Sequence, residues 1–310
     1  SQESTPTGLA INNDGTKMFV VGFSSDAVNE YTLSTAFDVS TSSFVDAFSI
    51  LSQEGSASGI AFNNDGTKMF VTGYAGRDVN EYTLSTGFDV STASFVDSFS
   101  VSSQDSYPSD LAFNSDGTKM FVVGVGGDDI YEYTLSTGFD VSTASYDSNF
   151  SITSQELEPT GLTFSTDGKK MFVTGNGGND VNEYTLSTGF DVSTASFVDS
   201  FDVSGQDNNP RAIAFNNDGT KMFIAGNGGN DINEYTLTSP FSLVNISGEH
   251  TGDVIDTANT STYDTDVDVE TLTVTAVRLG SSEGSGTAGT VGSALTGTYG
   301  QLTLNSNGSY

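Results

Sequence analysis

The sequence predicts an all-β fold: a β-propeller of five four-stranded blades, followed by a shorter β segment that does not repeat. Three observations lead there. A 51-residue period runs through roughly residues 1–245 of the 310-residue chain. Each period reads as four short strands separated by turn signals, with no helical periodicity of useful length. Beyond residue 245 the period stops, and Thr, Gly, Asp and Val replace the phenylalanines.

The period is legible in several markers at once. Asp-Gly recurs at Asp14-Gly15, Asp65-Gly66, Asp116-Gly117, Asp167-Gly168 and Asp218-Gly219. Glu-Tyr recurs at Glu30-Tyr31, Glu81-Tyr82, Glu132-Tyr133, Glu183-Tyr184 and Glu234-Tyr235, again 51 apart. In one copy, Gly59-Ile60-Ala61-Phe62 forms the first strand. Asn63-Asn64-Asp65-Gly66 turns the chain, because Asn, Asp and Gly tolerate positive φ. Lys68-Met69-Phe70-Val71-Thr72 forms the second strand, and a Gly-rich loop leads to the third, Val79-Asn80-Glu81-Tyr82-Thr83-Leu84. After a longer connection, residues 95–101 alternate with period two and form the fourth. Four antiparallel strands per 40–50 residues mark a propeller blade, whose stacking buries both faces of each sheet.

The fifth copy is incomplete after Leu237, and Ser1-Gln2 matches the tail of a fourth strand (compare Ser52-Gln53). A fourth strand is therefore expected to precede residue 1 in a longer parent chain. Two closures stay open: a five-bladed ring with residues 241–246 filling the last fourth-strand position, or an arc of a larger ring. The ring is favoured, since an arc would expose blade faces.

The string Asn63-Asn64-Asp65-Gly66-Thr67-Lys68-Met69-Phe70-Val71, with its Gly-rich loop and Asp78-Val79-Asn80-Glu81-Tyr82, resembles bacterial YVTN-type and lactonase-like propeller blades. The shared residues are those that make turns and strands, so the resemblance implies the fold. For the lactonases it also implies a divalent metal held in the central channel. Residues 246–310 resemble a VCBS-type, cadherin-like repeat through residues 271–277, the Gly-rich 284–292, Gly297-Thr298-Tyr299-Gly300 and Asn307-Gly308-Ser309-Tyr310. That resemblance implies a partial Ig-like β-sandwich, shortened here because a full sandwich takes about 100 residues. Residues 296–310 read as a hairpin turning at Asn307-Gly308.

Composition narrows the chemistry. There are 40 acidic and 9 basic residues, giving a net charge of −31, with no Cys and a single His, His250. Nucleic-acid binding is disfavoured by charge repulsion, and no apolar run is long enough to insert in a membrane. Disulfides, thiolate metal sites and multi-His centres are excluded. His250 reads as an exposed loop residue without a Ser nucleophile motif beside it. The recurring glutamates read as structural, because a catalytic site should instead appear as a departure from the repeat in one blade. Lys17, Lys68, Lys119, Lys170 and Lys221 read as charges that keep strand ends wet, with an anion-binding ring as the alternative. Calcium is the expected cofactor, since hard cations take carboxylate and carbonyl oxygens. The first place for it is Asp264, Asp266 and Asp268 with Asp253 and Asp256, at the inter-module position the VCBS resemblance implies; the second is the loop acids Asp128-Asp129, Asp180 and Asp231.

The resulting expectation is a non-enzymatic extracellular or cell-surface platform, a monomeric part of a larger adhesive protein. It would bind a glycan or protein at the loops of one propeller face, which differ most at 22–27, 73–78, 124–129, 175–180 and 226–231, and at 53–58, 104–109, 155–160 and 206–211. The alternatives are a lactonase- or glycosidase-like enzyme with a divalent metal in the channel, and a ligand-free spacer.

Overall fold

A computed structural model describes residues 2–243, 277–278, 288–297 and 300–304. The chain divides into two compact units, Ser1–Ile246 and Ser247–Tyr310. The first is the expected propeller. Its second blade runs Ala57–Phe62, Lys68–Gly73, Asp78–Leu84 and Ala93–Ser100. These strands pair antiparallel in sequence order. Blades 1, 3 and 4 repeat the pattern, and blade 5 has three described strands, Pro210–Phe215, Lys221–Gly226 and Asp231–Thr236. Before each complete fourth strand lies one 3₁₀ turn, such as Val90–Thr92, which Asp89 caps by accepting from the Ser91 amide.

The Asp-Gly turns are held by an aromatic lid. Gly66 has φ +71, and a Cβ there would meet the Phe88 ring at 2.3 Å. Phe88 is itself left-handed, with φ 57, and its amide donates to the Gly66 carbonyl. A side chain at either glycine face would displace the ring, so both residues are tied to one geometry.

The core lies between blades. Phe70, Met69 and Val71 are fully buried, and Phe70 packs on Phe113 and Phe139 of blade 3. Leu9, Met18 and Val20 of blade 1 form one cluster with Ala212, Phe223 and Ala225 of blade 5, which closes the five blades into a ring.

Each blade is also stapled to the next by an ion pair. Lys68 Nζ lies 2.7 Å from Glu81 Oε1 and donates to the Phe139 carbonyl of blade 3 at 2.6 Å. The second Glu81 oxygen accepts from the Val141 amide at 3.0 Å. The same arrangement joins blades 1 and 2, 3 and 4, and 4 and 5. It closes the ring through Lys221, Glu234 and the Phe37 carbonyl. The repeated glutamates are structural, as expected. The repeated lysines are not free charges or an anion ring, because each is already committed to a buried carboxylate and a neighbouring carbonyl.

Residues 241–246 do not supply a fourth strand within the described part. Phe241 has φ 50 and covers Gly219, while the Leu243 amide donates to Glu183 Oε2 at 2.8 Å. They therefore hold the turn position that Phe88 and Val90 hold in blade 2.

In the second unit, Val277–Arg278 pairs with Ala288–Gly289, and Ala294–Gly297 pairs with Gly300–Thr303. The hairpin thus closes between Gly297 and Gly300, rather than at Asn307-Gly308, which lies outside the described residues along with most of 271–277 and His250.

Candidate functional site

Antiparallel pairing puts all the variable loops at one end of the ring. Pro6 opposes Gly22 and Ala57 opposes Gly73, so first strands begin where second strands end. The segments after each second strand and those before each first strand share this end, called the mouth below. The Asp-Gly turns occupy the other.

The mouth loops rest on one buried acid per blade. Glu54 accepts from the amides of Ser56, Ala75 and Gly76 at 2.7, 3.1 and 2.9 Å. Glu3, Asp105, Glu156 and Asp207 grip the corresponding amides in the other blades. Burial pushes the Asp105 carboxyl up while its three amide donors pull it down. These acids fix loop shape and leave the residues between them free to vary.

Two departures from the repeat stand on the first, innermost strands. The residue two after the strand's opening proline or its equivalent is Gly8, Gly59, Asp110, Gly161 or Ala212. Asp110 is the single side chain longer than a methyl in this layer. A Cβ on Gly59 would sit 2.5 Å from Asp110 Oδ1, and one on Gly161 3.0 Å from the Ala212 Cα, so the axis has room for one. Asp110 Oδ1 accepts from the Leu111 amide at 2.8 Å and Oδ2 from Leu162 of the next blade at 2.9 Å. Burial outweighs both bonds and pushes its carboxyl up to about 8. Below it lies an axial cavity of about 200 Å³ lined by Leu9, Leu111, Leu162, Ile213 and Phe215 among others.

The second departure is Arg211, where the other blades carry Thr7, Ser58, Ser109 and Thr160. Three of these hydroxyls donate to the next blade's carbonyl: Thr7 to Ala57, Ser58 to Pro108 and Thr160 to Pro210, at 2.7–2.9 Å. In blade 5 the Asn227 amide takes over that duty, donating to the Pro6 carbonyl at 2.7 Å. This frees position 211 for a guanidinium. With the Asn176 and Asn227 amides in the orientation that satisfies both groups, Asn176 Oδ1 accepts from Arg211 Nη1 and Asn227 Oδ1 from Nε, each at 3.2 Å. The five ion pairs of the described residues all use lysines, so Arg211 has no carboxylate partner among them. A guanidinium carries five donors, so three remain for a ligand.

Around Arg211 the mouth is two-sided. The position after the second strand is Phe23, Tyr74, Val125, Asn176 and Asn227 in blades 1 to 5. The position before the first strand's opening residue is Thr5, Ser56, Tyr107, Glu158 and Asn209. Phe23 packs on Tyr74 with ring centroids 5.4 Å apart, and Tyr74 meets Tyr107 edge-on at 6.0 Å. Blades 1 to 3 thus give an aromatic side, and blades 4 and 5 an amide, carboxylate and guanidinium side.

Sequence reasoning set out the rule that a site should break the repeat, but it sought the breaks in loops. Arg211 is the last residue of one variable segment and Asp110 lies one past another; comparing the five copies column by column through the first strands finds both. Among the described residues, no group of three or more His, Cys, Asp or Glu could hold a metal ion. Asp110 is the only carboxyl on the axial cavity, so the channel residues do not fit a divalent ion. In the loops, Asp180 accepts from Asn182 at 2.8 Å and Asn179 is left-handed, which is turn chemistry. Asp253, Asp256, Asp264, Asp266 and Asp268 lie outside the described residues.

No family model matches the chain, and no curated protein matches it. Solved structures do resemble it. A functionally unknown protein from Desulfotomaculum acetoxidans is 17% identical, with TM-score 0.48, covering 78% of this chain and 72% of its own. A putative 6-phosphogluconolactonase from Bacteroides uniformis is 13% identical, with TM-score 0.48, covering 74% of this chain and 65% of its own. The periplasmic gluconolactonase of Pseudomonas aeruginosa is 15% identical, with TM-score 0.44, covering 75% of this chain and 66% of its own. At such identities the likeness concerns the fold, and this chain spans about two thirds of the two lactonases' length. The expectation of a non-enzymatic adhesion platform is corrected. It rested on blades that never depart from one another chemically, whereas Arg211 and Asp110 do, and the similar structures include proteins named for lactone chemistry.

Proposed function

We propose that the propeller is a hydrolase acting on the cyclic ester of a small polyhydroxy acid at its mouth. The observation that supports this reading is Arg211, a cation with unused donors, held by two amides at the one place where the inner-strand pattern breaks. Its guanidinium polarises the lactone carbonyl and takes the negative charge of the tetrahedral oxygen. Glu158, the only carboxylate at its position in the five blades, removes a proton from the attacking water. The ring C–O bond then breaks, the leaving oxygen takes that proton, and the product is the open hydroxy acid. No metal enters these steps.

Titrating acid release from glucono-1,5-lactone, above its spontaneous opening, tests the reading. Arg211→Thr restores the residue of blades 1 and 4 and is expected to lower kcat by about 10²-fold or more, as removal of an oxyanion donor does. An unchanged rate in the folded variant sinks the proposal.

Export fits a cysteine-free, strongly acidic chain. The VCBS-type reading of residues 246–310 and calcium at Asp253, Asp256, Asp264, Asp266 and Asp268 stay proposals. They rest on resemblance and acid spacing, and calorimetric titration of the whole chain with calcium tests them.

A further inference from the structure

The mouth also selects among lactones. The aromatic side offers a broad apolar surface: Phe23, Tyr74 and Tyr107 run in contact across three blades, and Tyr107 is 48% exposed. Aromatic faces carry negative quadrupole potential and accept the C–H-rich face of a sugar ring, whose hydroxyls then point outward to hydrogen-bonding groups. Here those groups are the Asn176 and Asn227 amides and Arg211, on the opposite side of the same mouth.

The electrostatics point in one direction as well. The described cations at this end are Arg211 and Arg77, and Arg77 lies over the Tyr107 ring at 5.8 Å. The lysines are bound in staples at the other end. Facing them are Glu158, Asp128 and Asp129, together with the buried loop acids. Their crowding is visible at Asp128, whose carboxyl is pushed up by burial and then by Asp105, Glu156, Asp129 and Glu158. A phosphate dianion calls for several donors of positive charge, commonly paired arginines or lysines. This mouth supplies one uncommitted guanidinium in a negative field.

Building on the lactone-hydrolase reading, we infer that the substrate is a neutral, unphosphorylated sugar lactone whose ring lies on Tyr74 and Tyr107 while its carbonyl meets Arg211. Tyr74 is then a specificity residue that binds the ring without joining the chemistry.

The test compares glucono-1,5-lactone with its 6-phosphate, using the whole chain at low and high salt. The neutral lactone is expected to show kcat/KM about tenfold or more above the phosphate, since fields of this kind change encounter by 10-fold to 10³-fold. Only the phosphorylated substrate should gain from added salt, which screens repulsion. Tyr74→Ala should raise KM for the neutral lactone about fivefold with kcat preserved, and Tyr74→Phe should restore it. A phosphate ester turned over as well as the neutral lactone, or better, overturns the inference while leaving the hydrolase reading intact. An unchanged KM in Tyr74→Ala removes the stacking role. Hydrolysis of neither lactone by the folded protein overturns the hydrolase reading and the inference together.

Discussion

The two ends of the propeller follow the same repeat with opposite fidelity. At the Asp-Gly end, the turn glycine, its covering Phe, the Lys and the Glu recur in all five copies. Each is engaged with the next blade, so a change in one copy disturbs a joint of the ring. At the mouth, the repeat keeps only a buried acid that grips the loop amides. The residues projecting from those loops range from Phe to Asn and from Thr to Glu. Fidelity marks where the chain holds itself together, and departure marks where it can meet something else.

Substitutions at the two ends should therefore separate stability from activity. The largest loss is expected from Lys68→Met, which leaves Glu81 buried and unpaired. Breaking a buried pair from one side costs about 3–5 kcal/mol. The exposed stem of Lys68 places this case near the lower figure, read as a fall in the urea midpoint with the specific activity of the folded fraction unchanged. Gly66→Ala should follow at about 2 kcal/mol, because it sets a Cβ against the Phe88 ring at positive φ.

Asp110 adds a pH-dependent effect between the two ends. Its carboxyl is raised by burial to about 8 in the folded chain and titrates near 4 when unfolded. The folded state therefore holds a proton that the unfolded state has lost between these values. Its contribution to stability is complete below about pH 4 and is lost as pH rises toward 8. Asp110→Gly, the residue of blades 1, 2 and 4, should flatten that part of the stability profile in urea unfolding at pH 5 and pH 8.5; an unaltered slope counts against a buried carboxyl there. The smallest stability effect is expected from Arg211→Thr, within about 0.5 kcal/mol, since Asn227 already holds the Pro6 carbonyl. That variant should nonetheless lose the most lactone hydrolysis. A large drop in its melting temperature would erase the distinction between the ends.

Much of the fold was open to reading because its determinants are local. Asp65-Gly66 fixes a turn by φ alone, and the strands observed at Ala57–Phe62, Lys68–Gly73, Asp78–Leu84 and Ala93–Ser100 differ from the expected limits by a residue or two. The staple was not readable in the same way. Lys68 and Glu81 sit 13 residues apart on neighbouring strands, but the carbonyl that completes the pair belongs to Phe139, 71 residues away. The site was half readable. The demand that it break the repeat was correct, yet Arg211 and Asp110 look like unremarkable strand residues until the ring brings five first strands to one axis. Likewise, Asn227 reads as a loop residue until the missing hydroxyl at 211 gives it a carbonyl to hold.

The crowded layer at Asp110 also sets how many blades this chain can use. A 51-residue copy could be added to the sequence without altering a single turn or strand. The rim would accommodate it, because each staple concerns only two neighbours. The axis would not: with Gly59 and Gly161 already against their neighbours' backbones, five inner strands leave space for one short side chain, and six would leave a bore that one aspartate cannot stop. The ring is counted at its centre, where a single carboxyl serves as the gauge.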